Sequence, residues 1–166
     1  MAAWPWHDAS LMIAVVQRVC SASVTVETPP HHHAIERGLL VLLGVEQGDT
    51  EAGADWMSAK LARLRIFPDA NGRMNQSTLD IEGSILLISQ FTLLGDTSQG
   101  HRPSFMNAAE PDIAEELYNR VAQRLGTNER IPVGTGIFGA QMQVELVNDG
   151  PVTIIVNTPA SLTTRA

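Results

Sequence analysis

Four consecutive residues, Ser89-Gln90-Phe91-Thr92, place two hydroxyls and a carboxamide around one aromatic ring, directly after the apolar run Ile85-Leu86-Leu87-Ile88. Strand ends are where α/β proteins present reacting groups. Taken alone, polar residues that merely finish a buried strand explain the pattern equally well. Thr92 is the nucleophile candidate of the group, but a threonine hydroxyl attacks only with a base beside it. Gln90 cannot take a proton, and no histidine is close in sequence. Thr92 therefore reads as a hydrogen-bonding residue rather than an acyl carrier. Backbone amides near residues 89–91 are then the groups that would polarise a carbonyl.

A second unusual stretch is Asn148-Asp149-Gly150-Pro151, between two alternating segments at residues 141–148 and 152–158. Asp-Gly predicts a tight hairpin turn there, yet the proline removes a ladder donor immediately after it. Three other patterns carry less. Gly134-Thr135-Gly136-Ile137-Phe138-Gly139 matches G-x-G-x-x-G literally, but a dinucleotide loop must open a helix. The residues that follow, AQMQVELV, alternate like a strand, so the glycines read as a flexible turn and no cofactor is expected. His31-His32-His33 would point in alternating directions if extended, with no cysteine or acid at a zinc-like spacing. They read as a solvated loop at a hairpin tip, and no metal is expected. Cys20 has no motif around it and reads as a buried or half-buried structural thiol.

The elements that must position these groups follow from periodicity. Residues 12–19 and 21–28 read as two strands, the second alternating Ala22, Val24, Val26 against Ser23, Thr25, Glu27. Residues 38–45, GLLVLLGV, form a continuous apolar run suited to a strand buried on both faces. Gly48-Asp49-Thr50 starts a helix carrying Ala54, Met57, Leu61 and Leu64 on one face. Residues 65–67 form a short strand and residues 84–92 a buried one. Pro111 suits the first turn of a second helix, lined by Ile113, Leu117, Val121 and Leu125 and closed by Gly126. The sum is one α/β domain with a mixed sheet and two helices, ordered as two strands, two strand–helix units and a β-rich end of three strands. Residues 1–11 read as an N-terminal extension before Met12, residues 12–158 as the domain, and residues 159–166 as a frayed tail.

Composition bounds the partners. The chain has 166 residues, 44% hydrophobic and 17% charged, as a soluble domain would. The longest apolar stretch is too short to cross a bilayer, and residues 1–11 lack the features of a targeting peptide. A single cysteine suits a reducing compartment, so a cytoplasmic location and no membrane partner are expected. The formal net charge is −7, with Lys60 the single lysine. That argues against a long electrostatic footprint on nucleic acid, though not against gripping one short end of it.

The motifs together resemble the D-aminoacyl-tRNA deacylase family, whose marks are a Ser-Gln-Phe-Thr motif, here Ser89, Gln90, Phe91 and Thr92, and a Gly-Pro-Val-Thr motif, here Gly150 to Thr153. The similarity runs in order through AVVQRV at residues 14–19, GLLVLLGVEQGDT at 38–50, LRIFPDANGRMN at 64–75, RPSF at 102–105 and FGA at 138–140. It departs in the extra first eleven residues, in Pro29 to His33 at the hairpin tip, and in the less basic Ser98-Gln99-Gly100-His101. The resemblance implies a three-layer α/β/β fold and hydrolysis of the ester between tRNA and a D-amino acid, or glycine. It implies a substrate held by its 3′-terminal adenosine and attached amino acid, and a homodimer with active sites at the interface. Gly150–Pro151 would be a cis peptide inserted into the partner's site to exclude L-amino acids. Arg18 would orient that insertion, and Phe138 and Met142 would line the site. The terminal 2′-hydroxyl of the tRNA would activate water.

Two other readings stand beside it. One is a hydrolase of another small ester or amide with Thr92 as a true nucleophile. The other is a non-catalytic module that binds nucleic acid or a protein, against which the net charge and the lack of aromatic-basic interleaving speak.

Overall fold

In the computed structural model, which describes residues 11–162, the two opening strands are one. β1 (Ile13–Val26) runs fourteen residues and turns at residues 27–30. The chain returns as β2 (His31–Ile35) and, after Glu36 and Arg37, as β3 (Gly38–Gly44). Both pair antiparallel with β1 in a single register, from Val26 opposite His31 to Ile13 opposite Gly44. The expected loop at His31, His32 and His33 is therefore a correction: the turn is finished by Pro30, and the histidines are strand residues. Thr25 Oγ1 meets His32 Nδ1 at 3.0 Å, and His31 Nε2 meets the Thr135 carbonyl at 2.7 Å.

From β3 the chain crosses through α1 (Glu51–Arg63) and the small hairpin of β4 (Phe67–Pro68) and β5 (Met74–Gln76) to β6 (Ser84–Ser89). Thr50 caps α1 by accepting from the Gly53 amide. β6 lies parallel to β3. A second crossover through α2 (Pro111–Thr127) delivers β7 (Val133–Thr135), parallel to β6. The helical stripe of α2 is as expected at Leu117, Val121 and Leu125, but Ile113 is 52% exposed. β8 (Gln143–Asn157) closes the sheet antiparallel to the other edge of β1.

β8 corrects the second turn expectation. Asp149 and Gly150 do not reverse the chain; both halves of β8 pair with the same strand, β1. Between the pairs Gln17–Thr153 and Ser21–Val147, five residues of β8 face three of β1, so the chain bulges outward at residues 148–152. Cys20 lies opposite this bulge and is exposed rather than buried. Beyond the bulge the β1–β8 ribbon changes sides of the sheet. Met12, Ala14 and Val16 pack with Leu39, Val41, Ile85 and Leu87 beneath the helices. Val19, Ala22 and Val24 instead cover Leu40, Leu86 and Ile88 on the opposite face. This gives helices, central sheet and folded-over ribbon, the α/β/β order.

The start of the described chain is held by acids. Asp49 accepts from the Met12 amide at 2.8 Å and the Glu46 amide at 2.7 Å, while Glu46 accepts from the Leu11 amide. Burial raises the Asp49 carboxyl from 3.8 to about 6, with the two amide hydrogen bonds opposing. At the other end, residues expected to fray form a 3-10 turn (Ala160–Leu162), whose Leu162 carbonyl accepts from Thr50. Of the expected extension at residues 1–11, Leu11 is described and the rest lies outside the described residues, as do residues 163–166 of the tail.

Candidate active site

The C-terminal end of β6 opens into a cleft of 470 Å³ between the sheet, the start of α2 and the loop after β7. Ser89, Gln90 and Phe91 line it from the strand end, facing Phe138 and Met142 from the far wall. Five of the residues singled out by sequence are thus brought together. Thr92, Arg18, Gly150 and Pro151 do not line this cleft.

The strand end is shaped by a short 3-10 turn (Phe91–Leu94). The Gln90 amide donates to the Leu43 carbonyl at 2.8 Å, so that donor is committed to the sheet. The expected group of polarising amides is thereby narrowed to those at the start of the turn, which have no partner within it. Gln90 Nε2 donates to Thr92 Oγ1 at 2.5 Å. That bond occupies a Thr92 lone pair, and the carboxamide that donates it cannot take up a proton. Phe91 is 58% exposed and meets Phe105 edge-on, centroids 5.0 Å apart. Phe105 belongs to a loop pinned at the rim by Gln47 and Ala109, whose amides donate to Asn107 and Val45.

The glycines of residues 134–139 have packing duties. A Cβ on Gly134 would fall 2.0 Å from the His33 ring, and one on Gly136 would fall 2.3 Å from Met142 Sδ. Gly136 therefore lets Met142 into the cleft wall. No helix follows this run; it leads into β8. Tyr118, missed in the sequence because it sits within the apolar stripe of α2, lines the cleft behind Phe138. Its hydroxyl donates to the Leu87 carbonyl at 2.7 Å, and burial pushes its pKa above the ordinary tyrosine value. It stays neutral and its proton is engaged. Among the described residues, no His, Cys, Lys, Arg, Asp or Glu lines the cleft, and none form a group of three metal-ligating side chains.

The β8 bulge is a separate construction. The Gly150–Pro151 peptide is cis, as is Thr28–Pro29. Gly150 has φ +145, and a Cβ there would meet Val152 Cγ2 at 2.6 Å and the Val152 amide nitrogen at 2.8 Å. Only glycine fits this backbone comfortably. Arg18, 9% exposed, reaches beneath it: Nε donates to the Asp149 carbonyl at 2.9 Å and Nη1 to the Ile66 carbonyl at 2.6 Å. Its Nε also pairs with the Asp149 carboxylate at 3.2 Å. Asn148, which the sequence marks only as the start of the Asn148-Asp149-Gly150-Pro151 stretch, closes the neck of the bulge. Its Oδ1 accepts from the Val152 amide at 2.8 Å and its Nδ2 donates to the Val152 carbonyl at 3.2 Å, in place of the interrupted ladder bonds. The signal was available: an asparagine often mimics backbone pairing beside a turn.

With this geometry in place, relatives can be compared. The D-Tyr-tRNA(Tyr) deacylase family model matches residues 15–157. A D-aminoacyl-tRNA deacylase of Chlorobium limicola is 54% identical over 151 residues, 91% of this chain and 100% of its own length. One from Magnetococcus marinus is 56% identical over 148 residues, 89% of this chain and 97% of its own. Among solved structures, the c-Myc DNA Unwinding Element Binding Protein superposes with TM-score 0.82 at 42% identity, over 90% of this chain and 100% of that one. A probable eukaryotic D-amino acid tRNA deacylase shares the fold with TM-score 0.77 at 17% identity, over 89% and 99%.

Proposed function

The chain belongs to the D-Tyr-tRNA(Tyr) deacylase family, and from that premise we propose that it hydrolyses the ester joining a D-amino acid to the 3′ end of tRNA. The observation that carries the reading is the cleft at the end of β6, where Ser89, Gln90 and Phe91 meet an apolar wall containing Phe138 and Met142. An aminoacyl ester is already activated, so a site needs to position it, stabilise an oxyanion and admit water. The cleft supplies hydrogen-bonding groups without a titratable base. The 2′-hydroxyl of the terminal ribose is then the group that orients or activates water, with Thr92 in a positioning role.

Chirality needs a second component, because D- and L-substrates carry the same groups. A rigid wall on the L side discriminates by exclusion. In this reading Gly150 and Pro151 of one protomer form that wall in the other's cleft, with the enzyme a homodimer. Three features support it. The bulge does not reach the cleft of its own chain, it is braced by Arg18 and Asn148, and the strand that carries it exposes Val147 at 57% and Ile155 at 64%. Glycine, with no side chain to exclude, would also be released. Translation supplies the substrate, which places the enzyme in the cytoplasm. No helix among the described residues is long and apolar enough to cross a membrane.

Deacylation of matched D- and L-tyrosyl-tRNA tests the reading. Release of the D-amino acid with the L-ester spared is expected; equal rates on both would overturn it.

A further inference from the structure

An acidic chain with 18 Asp and Glu against 11 Lys and Arg collects three of its basic residues in one place. Lys60, Arg63 and Arg65, at the end of α1, line an open hollow of 430 Å³ with Trp56 on its floor. Among the described residues, no acidic side chain lines it. Lys60 stands with Nζ 5.2 Å from the Trp56 ring centroid, and the residue is exposed. Arg63 remains 61% exposed although it contacts Glu129 at 2.8 Å. Arg65 donates to Asn75, with Asp69 and Asp80 within electrostatic reach outside the hollow. Three other arginines are consumed in holding the fold: Arg120 and Arg124 both bind Asp55, and Arg18 braces the bulge.

We propose that this hollow binds backbone phosphates of the tRNA substrate, outside the reacting cleft. Cations arranged around an aromatic ring, in a hollow whose acids Glu129, Asp69 and Asp80 stand outside its lining, suit a nucleic-acid backbone. Its position also fits. The next residue after Arg65 is Ile66, whose carbonyl accepts from Arg18, the residue that holds Asp149. The hollow therefore neighbours the Gly150–Pro151 segment. The proposal rests on the deacylase reading, in which that segment sits beside the bound 3′ end; the hollow then lies where the stem behind it would pass. It reconciles an overall charge of −7 with a polyanionic substrate, since three local cations suffice to grip a few phosphates.

The test uses the full-length triple variant Lys60→Gln, Arg63→Gln, Arg65→Gln with three readouts. Binding of uncharged tRNA should weaken roughly ten- to hundredfold near physiological salt. The slope of log affinity against log salt should become shallower by about 0.9 for each duplex phosphate that is no longer neutralised. Hydrolysis of 3′-(D-tyrosyl)adenosine, which has no phosphate, should stay within about twofold of wild type. A charge-preserving triple variant, Lys60→Arg, Arg63→Lys, Arg65→Lys, should recover most of the tRNA affinity. Unchanged tRNA affinity and salt slope in the glutamine variant would overturn the proposal, as would an equal loss in the charge-preserving one. Failure of wild-type enzyme to cleave either D-ester would instead sink the deacylase reading. The binding measurement would still decide this one.

Discussion

Replacing Arg18 with methionine keeps the length of an apolar stem and removes every donor under the β8 bulge. Three acceptors are left without their partner: the Ile66 carbonyl, the Asp149 carbonyl and the Asp149 carboxylate. They do not count equally. The Arg18 to Ile66 bond is buried and Ile66 itself is 5% exposed, so an orphaned carbonyl there costs about 1–3 kcal/mol. The Asp149 carbonyl lies in a half-buried position and adds about 1–1.5 kcal/mol. The Asp149 side chain is 39% exposed; water takes the place of the guanidinium, and the screened pair adds no more than about 1 kcal/mol. The expected loss for Arg18→Met is therefore about 3 kcal/mol, measurable as a reduced urea midpoint at unchanged slope. Asp149→Asn keeps the carbonyl bond and should cost under about 1 kcal/mol. Arg18→Lys can serve one carbonyl but not both, and should fall between. If the proposed function holds, selectivity for D- over L-tyrosyl-tRNA should fall in the same order, since a loosened wall excludes less. Stability of Arg18→Met within about 0.5 kcal/mol of wild type would refute the reasoning, because surface substitutions typically cost that little. An Asp149→Asn variant as damaged as Arg18→Met would shift the weight from the carbonyls to the ion pair and refute it equally.

Thr92→Ala should keep measurable single-turnover cleavage of D-tyrosyl-tRNA, because the hydroxyl accepts from the Gln90 carboxamide, which is no base; loss on the scale of a deleted nucleophile, about a million-fold, would restore Thr92 as the attacking group. Gly150→Ala should disturb the bulge, since the added Cβ meets the Val152 amide nitrogen at 2.8 Å and φ is +145. An L-tyrosyl-tRNA selectivity identical to wild type would contradict that. Asp49, whose pKa is raised from 3.8 in a free side chain to about 6, is easier to bury protonated. Its contribution is most favourable below the unfolded value and is lost as pH rises through the folded one. Each pKa unit corresponds to ~1.4 kcal/mol, so wild type should lose about 2 kcal/mol relative to Asp49→Asn between about pH 4 and about pH 7.5. Urea titrations of both proteins at the two pH values check this, and a pH-independent difference would contradict it.

What the sequence revealed, and what it hid, divides by the range of the interactions. β3 and β6 were legible because an apolar run buried on both faces is a local property, and α1 because Thr50 and Gly53 cap it within four residues. The strand-end motif at Ser89, Gln90 and Phe91 followed from β6. The errors arose where a distant partner overrules local preference. Asp149-Gly150 carries a turn signal, yet β1, more than a hundred residues earlier, pairs with both flanks and holds them in line. The signal survives only as the bulge. His31, His32 and His33 looked like a loop, but the register of β1 and the Thr135 carbonyl draw them into a strand. Cys20 reads as buried or half-buried from its strand position, but it lies opposite the same bulge and is exposed. Ile113 fits the helical period, whereas at that turn Pro111 and Ala114 face the cleft. The cleft itself needs four separated segments, and no local pattern ties Tyr118 or Phe138 to Ser89.

The cleft's composition carries a consequence for mechanism. A side chain serving as general base needs a pKa near the working pH, and the cleft lining offers Tyr118 as its one titratable group. Burial moves Tyr118 away from that range, and its proton is committed to Leu87. Ser89 and Thr92 are poor bases, and the partner of the Thr92 hydroxyl, Gln90, cannot take up a proton. On the deacylase reading, catalytic power must then come from holding the ester and its ribose in place and from amide donors facing an apolar wall, where low dielectric strengthens a hydrogen bond to developing charge. Such a site has no protonation step of its own to optimise. It can be rigid and largely apolar, which is also what an exclusion wall requires of its surroundings. Discrimination by shape and catalysis without a protein base thus make the same demand on the fold, and the double-sided core around β3 and β6 meets it.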